Sequence, residues 1–446
     1  MKTSRIILIT FGLFILLSPG AVAQPDSGPA IDRETKEEII DSVTTAFDSI
    51  YVYPEKAEEI DAYLRERLDD GAYDDAGTVG EFAMMITRDM HEVTGDRHIG
   101  VRYFAREEIE RRLSDSLQER LREEDLDNSR FENFGFEKVE RLPGNIGYLK
   151  FNGFSGWKEA GATAIGAMRF LNNVDALIID LTENGGGSPH MIQILTSYFF
   201  EEPTHLNTFY IRATDSLQQF WTTNYVEGEK MVGIPLYVLT STRTFSAAEE
   251  FTYNLKNLKR ATIVGETTGG GAHPVESHFF ANLEIGVRVP FGKAVNPISG
   301  INWEGTGIEP DIACSAAEAL DQARLDALRK LRDQATDEER AAAYTWQAET
   351  FETLLNPHEV SAATMQEYAG DYGPRHVTYE EGALYYQRDE RPKYRMIPMS
   401  DDTFCFEDID YFRLKFIRDG GEVVRVEGHY MGGRVDSNTR DEGRNK

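Results

Sequence analysis

The sequence predicts an α/β core flanked by a helical bundle and a small antiparallel β-domain, and three patterns carry that prediction. Between residues 145 and 311 short apolar runs alternate with helical stretches. Residues 33–95 hold three amphipathic helical patterns, and residues 356–446 hold short aromatic-rich runs separated by Gly, Asp and Pro. The first pattern means β-α-β crossovers around a mainly parallel sheet; the last means strands joined by turns.

Within the core stretch, 96–311, strands are expected over 146–151, 176–181, 236–239 and 262–264. Helices are expected around 160–171, after Gly187 and after Ser246, where Phe251, Leu255 and Leu258 recur at helical spacing. A charged helical connector, 104–143, interrupts this stretch. In the bundle, Ile39, Val43, Phe47 and Ile50 mark one helix, Ala57, Ile60, Leu64 and Leu68 a second, and Phe82, Met85, Ile86 and Met90 a third. The third follows the capping box Thr78-x-x-Glu81. Residues 312–355 read as a helical linker, and the tail offers strand candidates at 377–379, 383–387, 394–397, 403–406, 412–417 and 423–426.

Lys2, Arg5, the apolar stretch 6–17 and Ala21-Val22-Ala23 have the layout of a signal peptide, 1–23, cleaved after Ala23; 24–32 reads as a mobile leader. The apolar stretch is too short to span a bilayer, so the expectation is an exported protein, periplasmic or secreted, without stable membrane insertion. A net charge of −29 excludes bulk attraction to nucleic acid. Cys314 and Cys405 are compatible with one disulfide or with two thiols, and no metal motif uses them.

Ser246 lies between an apolar run and a helix, in Thr-Ser-Thr-Arg-Thr-Phe-Ser-Ala-Ala-Glu-Glu-Phe, residues 240–251. At a helix start its oxygen meets unpaired N–H groups that favour the negative charge created by attack on a carbonyl. Serine there is more often an N-cap, so this stretch alone leaves both roles open. Strand 177–181 ends in Asn184-Gly-Gly-Gly187, a loop that either cradles an oxyanion or simply makes a tight turn; no Lys-Ser/Thr follows to make it a phosphate loop. His98, between Gly95 and Gly100, is a candidate base or a structural histidine, with His273 and His278 as second choices. There is neither an H-E-x-x-H zinc motif nor a G-x-S-x-G elbow.

The ordered set Asp-x-His, Asp-Leu-x-x-Asn-x-Gly-Gly, Thr-Ser-x-x-Thr-x-Ser-Ala-Ala-Glu, Gly265-Glu-Thr-Thr-Gly-Gly-Gly-Ala and Glu304-Gly-Thr-Gly-Ile-Glu-Pro-Asp311 resembles the S41 peptidase family. The resemblance, over residues 33 to about 312, implies a ClpP/crotonase-like core, a peptide or protein substrate, and no cofactor or metal. It implies Ser246 as nucleophile, Gly186 and Ala247 as oxyanion hole, His98 as base and Glu304 in support. Gly271 stands where the processing-protease branch has its lysine, so the chain looks like the tricorn and retinoid-binding branch. Arg97 replaces the serine that precedes the histidine there, and 104–143 is too short for a PDZ module. A non-catalytic module holding an apolar, retinoid-like ligand is the alternative function.

Overall fold

The computed structural model describes residues 28–441, so the expected signal peptide lies outside the described residues. The chain divides into two units: one with residues up to 140, 148–173 and 177–320, the other with 141–147, 174–176 and 321 onward.

At the centre of the first unit Ala176–Asp180, Leu236–Thr240 and Thr262–Gly265 run parallel, as the crossover pattern predicts. Strands 176–180 and 236–240 are buried throughout, which explains why they read as uninterrupted apolar runs. Because they are parallel neighbours, the loops after them, 181–187 and 241–246, emerge at the same sheet end, where α/β folds bind ligands.

The helical expectations correspond to Arg33–Ile50, Pro54–Asp69, Val79–Thr94, Trp157–Phe170, Pro189–Ser197 and Ala247–Asn257. The three N-terminal helices do not close a core among themselves. Ile39, Phe47, Ile60 and Phe82 share one buried cluster with Val101, Ile285, Val287 and Val289. That cluster sits on an antiparallel sheet of Gly100–Tyr103, Ile285–Pro290 and Val275–Phe280. Its residues are distant in sequence, so periodicity shows each amphipathic face but not its partner. The described end of the expected mobile leader is also tied down: Ile31 N–H donates to Gly77 O and Val79 N–H to Pro29 O, both at 3.1 Å.

A second antiparallel sheet, Gly292–Val295, His205–Ile211 and Ser216–Trp221, belongs to the same unit. Both thiols, Cys314 and Cys405, are free.

The second unit holds the helices Ala319–Gln334, Glu338–Leu355 and Ala362–Tyr368, followed by an eight-stranded antiparallel meander. Every tail run lies in one of its strands. The two it lacked, Gly370–Tyr372 and Val435–Thr439, are short or polar and stand at the two ends of the meander. Those ends approach each other: Asp441 N–H donates to Asp371 O at 2.9 Å. Inside, Tyr368 stacks on Phe416 with ring centroids 4.0 Å apart. No helix among the described residues is long and apolar enough to cross a membrane.

Candidate active site

Ser246 heads the helix Ala247–Asn257, as its spacing predicts, but its backbone is not that of an ordinary cap. With φ 57° and ψ −122° it occupies a region that costs a non-glycine residue about 1–3 kcal/mol. Hydrogen bonds on both sides hold it there. Thr244 Oγ1 donates to Leu181 O at 2.8 Å, Phe245 N–H to Asn184 O at 3.1 Å, and Ser246 N–H to Glu249 Oε2 at 2.9 Å.

Glu249 is the residue that sequence reasoning missed. It is fully buried, and besides Ser246 its carboxylate accepts from Gly270 N–H at 2.6 Å, Gly271 N–H at 2.8 Å and Thr268 Oγ1 at 2.5 Å. Burial pushes this carboxyl up to about 7 while the four donors oppose the shift. One side chain thus ties the serine turn to the glycine run 269–271. The signal was present in the sequence: Ser246-x-x-Glu249 has capping-box spacing.

Gly186 lies against the serine. A Cβ there would stand 2.8 Å from Ser246 Cβ and 2.9 Å from Ala247 N, and φ is 110°. Only glycine lets the loop approach so closely. Ala247 offers a first-turn N–H that an α-helix leaves without an internal acceptor. The N–H of Gly186, by contrast, donates to Asn184 Oδ1 at 3.0 Å, so in this structure it is engaged within its own loop. Asn184, also buried, bonds Phe151 O through Nδ2 at 2.9 Å and so fixes the loop.

His98 is 2% exposed, and its ring lies 4.7 Å from that of Phe245, the neighbour of Ser246. Burial pushes the imidazole down to about 3; Arg288 adds to this and Asp96 opposes it. Neither ring nitrogen has a hydrogen-bond partner, so no Ser246–His98 hydrogen bond is formed. Gly271 explains the histidine's company. A Cβ at Gly271 would lie 2.2 Å from Phe245 Cζ and 2.6 Å from His98 Cε1, so a lysine side chain there would compete with His98 for the same space. Arg97 turns to the neighbouring loop, donating from Nη1 to Gly269 O at 2.9 Å.

Glu304 joins His98 and Asp96: one ligating atom from each lies within 4.8 Å of the others. Asp96 Oδ1 accepts the His98 N–H at 2.9 Å and Oδ2 meets His273 Nδ1 at 2.7 Å. Burial works to raise the Asp96 carboxyl, but the His273 hydrogen bond and the two imidazoles leave it lowered. Glu304 Oε2 accepts from Ala272 N–H at 2.6 Å and lies 3.4 Å from His273 Nδ1. Burial, then the charge of Asp96, pushes the Glu304 carboxyl up to about 7. His273, a second choice for the base, has its ring committed to Asp96, with Tyr53 Oη 3.5 Å from Nε2. His278 lies on the strand Val275–Phe280.

The site thus holds a serine of strained backbone on a strand-turn-helix junction, a glycine loop pressed against it, and, beside the neighbouring Phe245, a buried imidazole close to two carboxylates. Residues 145–314 match the model of peptidase family S41. The chain is 30% identical over 181 residues to carboxyl-terminal-processing peptidase 2, chloroplastic, of Arabidopsis thaliana, covering 38% of this chain and 33% of that protein. The chain therefore spans about a third of the length of the curated relatives it matches. Among solved structures, the photosystem II D1 C-terminal processing protease shares 23% identity at a TM-score of 0.33, covering 39% of this chain and 43% of that one. The tricorn protease shares 15% at 0.39, covering 65% and 35%.

Proposed function

We propose that this chain is an exported serine peptidase that hydrolyses peptides or unfolded polypeptides through Ser246. The observation that carries this reading is the backbone of Ser246, held in a costly conformation at a helix start by Glu249, with Gly186 pressed against it. A capping serine needs no such conformation.

In the proposed reaction Ser246 Oγ attacks the substrate carbonyl and its proton passes to a ring nitrogen of His98. Burial disfavours the charged ring, so the imidazolium depends on the carboxylates beside it. Asp96 and Glu304 stabilise the imidazolium that forms. The Ala247 N–H takes the developing oxyanion; the Gly186 N–H joins it by exchanging Asn184 Oδ1 for the substrate oxygen. His98 returns the proton to the leaving amine, and water then hydrolyses the acyl-enzyme.

The test is hydrolysis of casein by purified protein and by Ser246→Ala. Activity is expected in the first and loss in the second; equal activity in both would exclude Ser246. No hydrolysis, together with saturable retinoid binding, would favour the apolar-ligand module. Export is checked by sequencing the mature N-terminus, expected at Gln24.

A further inference from the structure

Three buried polar atoms of the site are unpartnered: both ring nitrogens of His98 and Oε1 of Glu304. A buried polar group without a partner is costly, typically about 1–3 kcal/mol. A native protein that retains three in one place has a use for them. Ser246 can satisfy one ring nitrogen for part of a catalytic cycle, which leaves the others unexplained.

We propose that Asp96, His98 and Glu304 form a site for a divalent transition-metal ion, zinc above all, and that filling it removes His98 from catalysis. The donor set is one imidazole and two carboxylates, which suits zinc; calcium and magnesium demand more oxygens. Tetrahedral ligands at about 2.1 Å from zinc stand roughly 3.4 Å apart. His98 Nδ1 and Asp96 Oδ1 already lie 3.8 Å apart, and the three donors span no more than 4.8 Å, so small side-chain movements close the site.

The support around the donors is what a metal site requires. His273 holds the second oxygen of Asp96, and the Ala272 N–H holds the second oxygen of Glu304, leaving Oε1 free. The two carboxylates answer the charge of an incoming ion, against the nearby cations Arg97 and Arg288. Metal binding follows from these groups alone. Inhibition rests further on His98 being the base.

The test uses untagged full chain freed of metal with chelator, titrated with zinc chloride by calorimetry while casein hydrolysis is followed in parallel. One equivalent is expected to bind. Glu304→Gln and His98→Asn should each weaken it by about 10-fold or more, and His273→Asn, which unsupports Asp96, by about 10- to 100-fold. Inhibition should share the binding midpoint and be reversed by chelator. Because buried variants can fail to fold, X-ray absorption of the zinc-loaded parent supplies a second readout, expected to show one imidazole among oxygen donors. Sulfur ligation, absence of imidazole, or binding unchanged in folded Glu304→Gln and His98→Asn would overturn the site. An active peptidase that binds no zinc would overturn the site and leave the peptidase intact. Zinc bound at these residues in a protein without hydrolytic activity would uphold the site and remove the peptidase.

Discussion

Two helices of this protein begin with the same four-residue pattern and use it differently. At Thr78-x-x-Glu81 the cap residue is extended, φ −136° and ψ 159°, and Glu81 returns a carboxylate oxygen to the N–H groups of Gly77 and Thr78. At Ser246-x-x-Glu249 the cap residue has positive φ, and the carboxylate is fully buried and gathers donors from a loop twenty residues away. The first pattern starts a helix at the surface; the second holds Ser246 in a strained backbone at the start of another. The local pattern is not what separates them, since both satisfy the capping rule. What separates them is the partner brought by tertiary structure: a surface turn in one case, and the glycine runs 185–187 and 269–271 in the other.

Removing the hydroxyl on each side gives the widest contrast. Ser246→Ala should lower kcat/KM by at least about 10⁴-fold. Thr78→Ala should leave the rate unchanged and cost about 1 kcal/mol of stability, read from denaturant melts. A rate loss at Thr78 of the same order would break the distinction.

Glycine substitutions come next. Gly186→Ala meets Ser246, Ala247 and Phe245 within 3 Å at a φ of 110°, and should cost more than 2 kcal/mol together with nearly all activity. Gly382→Ala, also at positive φ but with open space around it, should cost only about 1–2 kcal/mol and no activity.

Swapping each acid for its amide sharpens the comparison further. Glu81→Gln should be near neutral, because glutamine serves equally in a capping box. Glu249→Gln turns an NH₂ toward two donors that the carboxylate satisfied, and should lower kcat about 10- to 100-fold, with KM little changed and about 2 kcal/mol of stability lost.

A change expected to act on stability alone lies one residue further on. Burial pushes the Glu250 carboxyl up to about 7, and the nearby amides of Asn207 and Asn254 offset this only in part. A carboxyl whose folded pKa is raised binds protons that the unfolded chain has already lost between about pH 4.5 and 7, so its contribution to stability falls as pH rises through that window. Glu250→Gln should therefore match the parent near pH 4.5 and exceed it at pH 8 by on the order of 2–3 kcal/mol in urea melts. An equal difference at both pH values would contradict this.

Much of this arrangement was legible in the sequence because it rests on local chemistry. An apolar strand running into a small-residue turn placed Ser246 at a helix start, and the strand-to-glycine run marked 185–187 as its counterpart. Asp96 and Tyr53 were given no role, and His273 was read only as a second choice for the base. Asp96 and His273 are 177 positions apart and meet only when the helical bundle packs on the sheet Val275–Phe280, Ile285–Pro290 and Gly100–Tyr103. The nearest signal was Asp96 two residues before His98, where its carboxylate caps the histidine's own N–H. In the two small antiparallel sheets of the first unit, Gly100–Tyr103 and Gly292–Val295 likewise pair with distant segments, which no local pattern shows.

The central claim is that Ser246 is held for attack rather than for capping. The most direct measurement is covalent labelling of the folded protein with a fluorophosphonate, with the labelled peptide mapped by mass spectrometry. The expected result is a single adduct on Ser246 that is absent after heat denaturation and absent in Ser246→Ala. Label on another serine, or no label on a folded protein that hydrolyses peptides, would contradict the claim.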